Sequence, residues 1–136
     1  MKARVMSLDI QGTHGEAYWP ENREYFCALL DITIGPSEGD AGDIFQATVC
    51  SPSWFADNVL KTWREDPTHE YVEPAPQFGR HYLFANTFDE ETIRSAVEKW
   101  VGDQAAGDWP TLAQRLSRNL AWEFEDYQPY QEDASG

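Results

Sequence analysis

The chain has 136 residues, a length suited to one domain, and its six Trp, six Tyr and seven Phe can fill a core without disulfides or metals. Its 24 acidic residues against 10 basic ones leave a formal charge of -14, which opposes binding to phosphate backbones and to anionic membranes. Neither nucleic acid nor membrane is therefore expected as a partner, and a basic protein is.

In chain order, Met1 to Asp9 lacks the apolar run of about 7 to 15 residues that a secretory signal needs, and Ala3 to Ile10 reads as a strand. Gln11 to Arg23, with Gly12, Gly15 and Pro20, reads as a loop. The longest apolar run, Tyr25 to Leu30, is far short of the roughly 20 residues that cross a bilayer, so a soluble, cytoplasmic protein is expected. Between Glu24 and Gly35 the residues Phe26, Ala28, Leu30, Ile32 and Ile34 alternate with a second set, the period of a strand with one apolar face. Gly35 to Gly42 is dense in turn formers, and Phe45, Ala47 and Val49 then alternate again, so the two strands are expected as an antiparallel hairpin. If their apolar sets share a face, Cys27 and Cys50 lie together on the other. Two cysteines so spaced make neither a disulfide scaffold nor a zinc or redox pair, and inert reduced thiols are expected.

Ser51 and Pro52 supply an N-cap and a first-turn proline, and Phe55, Ala56, Val59, Leu60 and Trp63 follow at helical spacing, which predicts a helix from Pro52 to about Trp63. Arg64 to Gly79, with Pro67, Pro74 and Pro76, reads as a long loop, and Arg80 to Ala85 as a strand. Thr87-Phe-Asp-Glu90 has the form of a capping box, and Ile93, Ala96, Val97, Trp100 and Val101 complete the stripe of an amphipathic helix. Asp108, Trp109 and Pro110 then open a third helix expected to end near Asn119. The fold class expected is α+β: a single domain over 1–136, with a mostly antiparallel sheet of about four strands, about three helices packed on it, and a frayed tail at 131–136.

No catalytic constellation stands out. His14, His69 and His81 have no relay partner in view, His81 reads as a strand histidine, and no serine or cysteine stands in a nucleophile-elbow pattern. Glu65 to Glu73 gathers four carboxylates and His69, but Pro67 prevents a regular helix from arranging them, and a solvated acidic loop is the expected reading. The Gly35 and Gly102 segments lack the lysine of a phosphate loop and the dinucleotide fingerprint. No enzyme activity, metal site or cofactor is expected.

The C-terminal stretch AWEFEDYQPYQED, from Ala121 to Asp133, sets four aromatic rings among five carboxylates, with no Lys or Arg after Arg118. Trp122 and Phe124 alternate with Glu123 and Glu125, so a short extended piece would bury both rings and present both carboxylates. Tyr127 and Tyr130 flank Pro129 beside unpaired acids, as in the anchors and charged rim of a binding face.

Four motifs stand in order along nearly the whole chain: Tyr18-Trp-Pro20 before a strand, Val49-Cys-Ser-Pro-Ser-Trp-Phe55 opening a helix, Gly79-Arg-His-Tyr-Leu83 opening a strand, and Leu116-Ser-Arg118 running into Trp122-Glu-Phe-Glu-Asp-Tyr127. In this the chain resembles the immunity protein 8 family of bacterial polymorphic-toxin systems. The resemblance implies an α+β antidote, encoded beside a secreted toxin, that binds the toxin's C-terminal domain in the producing cell and blocks it. The charge suits a basic toxin, a nuclease among others. The partner-binding residues expected are Glu123, Glu125, Asp126, Tyr127 and Tyr130, together with Glu65, Asp66, Glu70 and Glu73 of the acidic loop. The alternatives are an acidic adaptor or nucleic-acid mimic and, behind it, a small metal-dependent hydrolase built around His69.

Overall fold

The alternation in β2 (Cys27–Pro36) and β3 (Asp43–Cys50) places Ala28 opposite Val49, Leu30 opposite Ala47 and Ile32 opposite Phe45, so both apolar sets lie on one sheet face. These side chains are almost wholly buried. The turn between the strands needs two glycines: a β-carbon on Gly35 would lie 2.1 Å from the Ala41 carbonyl oxygen, and one on Gly42 would lie 2.5 Å from that of Ile34. A computed structural model describes residues 1–61 and 78–124. In it β1 (Ala3–Gln11) pairs antiparallel with β2, through a bulge between Val5 and Ser7. The outer edge of β3 is divided: β4 (Tyr82–Phe84) runs parallel along Thr48 to Cys50, and β5 (Ala121–Trp122) runs antiparallel along Phe45 and Gln46. The sheet thus has five strands, the four expected and the short extended piece at Ala121–Trp122, which pairs with β3 as a fifth.

Two helices cover the apolar face. In α2 (Glu90–Gly102) the buried residues are Ile93, Val97 and Val101, and in α3 (Trp109–Leu116) they are Leu112, Ala113 and Leu116. All six join the strand residues in one core, whereas Ala96 of the expected stripe stays exposed. The carboxylates of Asp89 and Asp108 cap the two helices by accepting from the backbone N–H of Thr92 (3.2 Å) and Thr111 (2.9 Å). Bonds to the Thr111 side chain and backbone hold the Asp108 carboxyl below the usual range.

Several local expectations are corrected. The cap of α2 is Asp89, not Thr87, because the buried Phe88 donates its N–H to Arg23 O (2.7 Å) and accepts from Arg23 Nε (3.0 Å), holding Thr87 and Phe88 outside the helix. α3 ends at Leu116, before Asn119, and Leu120 is buried beyond it. The helix capped by Ser51 is α-helical only over α1 (Pro52–Phe55) and widens to a π-helix over Ala56–Leu60. None of its residues is buried, so no core contact imposes the tighter α period, and Trp63 lies outside the described residues. His81 is not in a strand: its φ of 68° is left-handed and turns the chain into β4, with its carbonyl accepting from Thr48 N–H (2.9 Å).

The loop from Gln11 to Arg23 is tied down at several points. Gln11 bridges to Ala17, Gly15 takes a φ of 81°, and Tyr18 Oη accepts from Cys27 N–H. The free edge of β1 is partly closed as well. Arg94 Nη1 donates to Leu8 O (2.6 Å), and Lys2 bridges to Ala105. These contacts occupy two points along that edge.

Candidate functional site

With helices on one face, the other face of the sheet is the surface the fold presents, and its register arranges that face in rows. Cys27, Cys50 and Phe84 form the first; Gln11, Leu29, Thr48 and Tyr82 the second; Asp9, Asp31, Gln46 and Ala121 the third. Ser7, Thr33 and Ile44 begin the fourth, which Glu123 completes by donating its N–H to Ile44 O (3.0 Å). Phe55 of α1 packs edge-on against Tyr82 and Phe84, with centroids 4.9 and 5.1 Å away, and covers one corner. Beyond that corner Ser7, Asp9, Ile44 and Gln46 are exposed. A shallow groove of about 210 Å³ crosses the second and third rows beside Arg80 and His81.

Asp9 and Asp31 are register partners on this face. In the neighbouring pairing, Thr48 N–H and Cys50 O bond to His81 and Ala85, outward from β2. Leu29 and Asp31 therefore turn their own backbone groups toward β1, which sets the Asp9 and Asp31 Cα atoms about 5.5 Å apart. Like charges directly opposite one another destabilise a sheet. Among the described residues neither carboxylate accepts a hydrogen bond or meets a cation, the one ion pair being Lys61 with Asp57 at 2.8 Å. Arg4 donates to Gly39 O in the hairpin turn, and Arg80 lines the groove.

The residues expected from sequence are only partly placed. Glu123 does not simply present its charge: its Oε1 accepts the Ile44 N–H at 2.8 Å, continuing the ladder past β5. Of the two rings expected to be buried, Trp122 packs against the core, stacked on Phe45, while Phe124 is 42% exposed. Glu125, Asp126, Tyr127, Tyr130, Glu65, Asp66, Glu70 and Glu73 lie outside the described residues, as do His69 and the tail at 131–136. Asp9 and Asp31 were not singled out from sequence. The outward position of Asp31 was visible in the alternation, but its opposition to Asp9 depends on pairing across 22 residues of chain.

Cys27 and Cys50 are paired in register, as expected. Burial pushes the Cys27 thiol up to about 11, and burial together with the neighbouring Cys27 pushes Cys50 up to about 12. Because the folded pKa values lie above the ordinary thiol range, this contribution to stability is complete below about pH 8.5 and is lost as pH rises through 11 to 12. At pH 7.5 the thiolate fraction is below about one in a thousand. Both thiols are therefore expected to react with iodoacetamide far more slowly in the folded protein than in urea; equal rates would contradict their protection.

Among the described residues no group of three or more His, Cys, Asp or Glu is arranged to hold a metal ion, and no helix is long and apolar enough to cross a membrane. A sheet backed by helices on one face, with Ser7, Asp9, Asp31, Thr33 and Gln46 on the other, makes this an α+β domain. The chain belongs to the Immunity protein 8 family, whose model matches residues 3–127. Membership makes it an immunity protein, and an immunity protein implies a toxin partner. Comparison with curated proteins and with solved structures finds no match.

Proposed function

We propose that this immunity protein neutralises a basic toxin domain, encoded beside it, by occluding the toxin's functional surface in the cytoplasm of the producing cell. The observation that carries this reading is the match of the family model over residues 3–127. The net charge of -14 supports a cationic target, because opposite charge speeds encounter, and toxins that cleave nucleic acid need basic surfaces to hold phosphates. A nuclease is therefore the toxin class that fits best. Inhibition by occlusion needs about 800 Å² of complementary surface on each partner and no catalytic group.

In this reading the acids Glu65, Asp66, Glu70 and Glu73 contribute to the contact, as do Glu123, Glu125, Asp126, Tyr127 and Tyr130. Support comes from where the two segments join the fold. One re-enters the described chain at Phe78 to lead into β4, and the other leaves from Phe124 beyond β5. Both strands border β3, at positions about 13 Å apart along it.

The test is co-expression in a bacterial host. Cells producing the C-terminal domain of the neighbouring toxin are expected to survive when this chain is present and to die when it is absent. Death in both cases overturns the reading. The purified pair is expected to hold at 0.5 M salt, since central contacts of a specific complex are desolvated, whereas a general acidic adaptor would release its partner.

A further inference from the structure

On the sheet face turned away from α2 and α3, two like charges are set side by side. Asp9 and Asp31 face each other directly across β1 and β2, and asparagine at either position would fill the same space without repulsion. Asp31 lies on the inner strand β2, between Leu29 and Thr33 and beside Gln46, and Asp9 lies opposite it on the edge strand β1, between Ser7 and Gln11. Groups kept at the expense of stability are characteristic of binding sites.

We propose that the toxin docks on this open face and seats a Lys or Arg side chain between Asp9 and Asp31, a proposal that rests on the immunity reading. Charge complementarity selects the occupant. Two carboxylates about 5.5 Å apart at Cα form a fork that a guanidinium can bridge with several N–H donors, and an ammonium can bridge with two. The cation relieves the repulsion between the acids while gaining attraction to both, so the pair is worth more in the complex than either acid alone. Beside this fork the groove bounded by Leu29, Thr48, Tyr82 and Ala121 offers about 210 Å³ to a neighbouring side chain of the same toxin segment. Of the acids expected from sequence, Glu123 lies at the β3 edge; this site lies toward β1, on the broad face. A nucleic acid on this face is disfavoured by the same two charges.

Removal of both charges in the full chain, by Asp9→Asn with Asp31→Asn, separates cost from function. The thermal midpoint is expected to rise by about 1–3 °C as the repulsion disappears. Binding to the toxin domain that the wild-type chain neutralises is expected to weaken about 10- to 100-fold, with a shallower dependence on salt. The control removes two charges from the helical side, through Glu91→Gln with Glu98→Gln, and is expected to change affinity less than about threefold. A double asparagine variant that binds as tightly as wild type overturns the docking site while leaving the immunity reading intact. A fall in the thermal midpoint also overturns it, because the acids would then be stabilising the fold. A wild-type chain that binds no toxin domain overturns the immunity reading, and this proposal with it.

Discussion

Replacing Phe88 by alanine is expected to destabilise the protein by about 3–5 kcal/mol, the loss typical of deleting a buried aromatic ring. Phe88 has no exposed surface and lies just before α2. Its ring meets those of Tyr18, Trp19 and Phe26 edge to face, at centroid distances of 5.4, 5.8 and 5.3 Å. Its backbone exchanges two hydrogen bonds with Arg23. One side chain thus joins the loop after β1, the entry to β2 and the entry to α2, so truncation leaves a cavity among rings that cannot easily collapse. Domains of this size are stable by only about 5–15 kcal/mol, and the variant will sit near its unfolding threshold. Phe88→Leu keeps most of the volume but loses edge-to-face contacts worth about 0.5–1.5 kcal/mol each, and should fall between. Urea denaturation measures all three proteins; an alanine variant within 1 kcal/mol of wild type would mean that Phe88 is not the keystone of this corner.

The second large effect is expected at Asp43. Its Oδ2 accepts from two indoles, Trp109 Nε1 at 2.8 Å and Trp122 Nε1 at 3.0 Å, so a single oxygen ties the start of β3 to the start of α3 and to β5. Both rings are partly buried against the core. Asp43→Ala leaves two N–H donors without their acceptor, each costing about 1–3 kcal/mol when water cannot fully replace it, and a total loss of about 2–4 kcal/mol is expected. Asp43→Asn supplies a neutral oxygen with two lone pairs and should cost about 1 kcal/mol, since the charge assistance alone is lost. The readout that separates this clamp from a generic surface loss is hydrogen exchange at the Ile44 amide. That amide is protected by Glu123 only while β5 holds its register, so it should exchange faster in the alanine variant. Unchanged protection at Ile44 would show that β5 stays in place without the carboxylate.

The two substitutions also mark where sequence reasoning reaches its limit. The caps at Ser51 and Asp108 were legible because a cap and the N–H it satisfies lie three residues apart. Thr87 misled because Phe88 is held by Arg23, 65 residues earlier, and a local motif cannot register that contact. Asp43 carried no signal, its two indole partners being 66 and 79 residues away. The face of the sheet lay between these cases. Period-two alternation told which residues of β2 point outward, but not which residue of β1 each would meet.

The sequence by itself determined the α+β class, the hairpin, the two packed helices and the family resemblance. Each of these is written in short-range periodicity, in local turn and cap chemistry, or in motifs that keep their order. Only the tertiary structure decided that Asp9 opposes Asp31, that one carboxylate clamps two tryptophans, and that Glu123 is bound to Ile44. Those contacts arise from pairing between distant segments, set by the register of the whole sheet, and no window of neighbouring residues contains both partners.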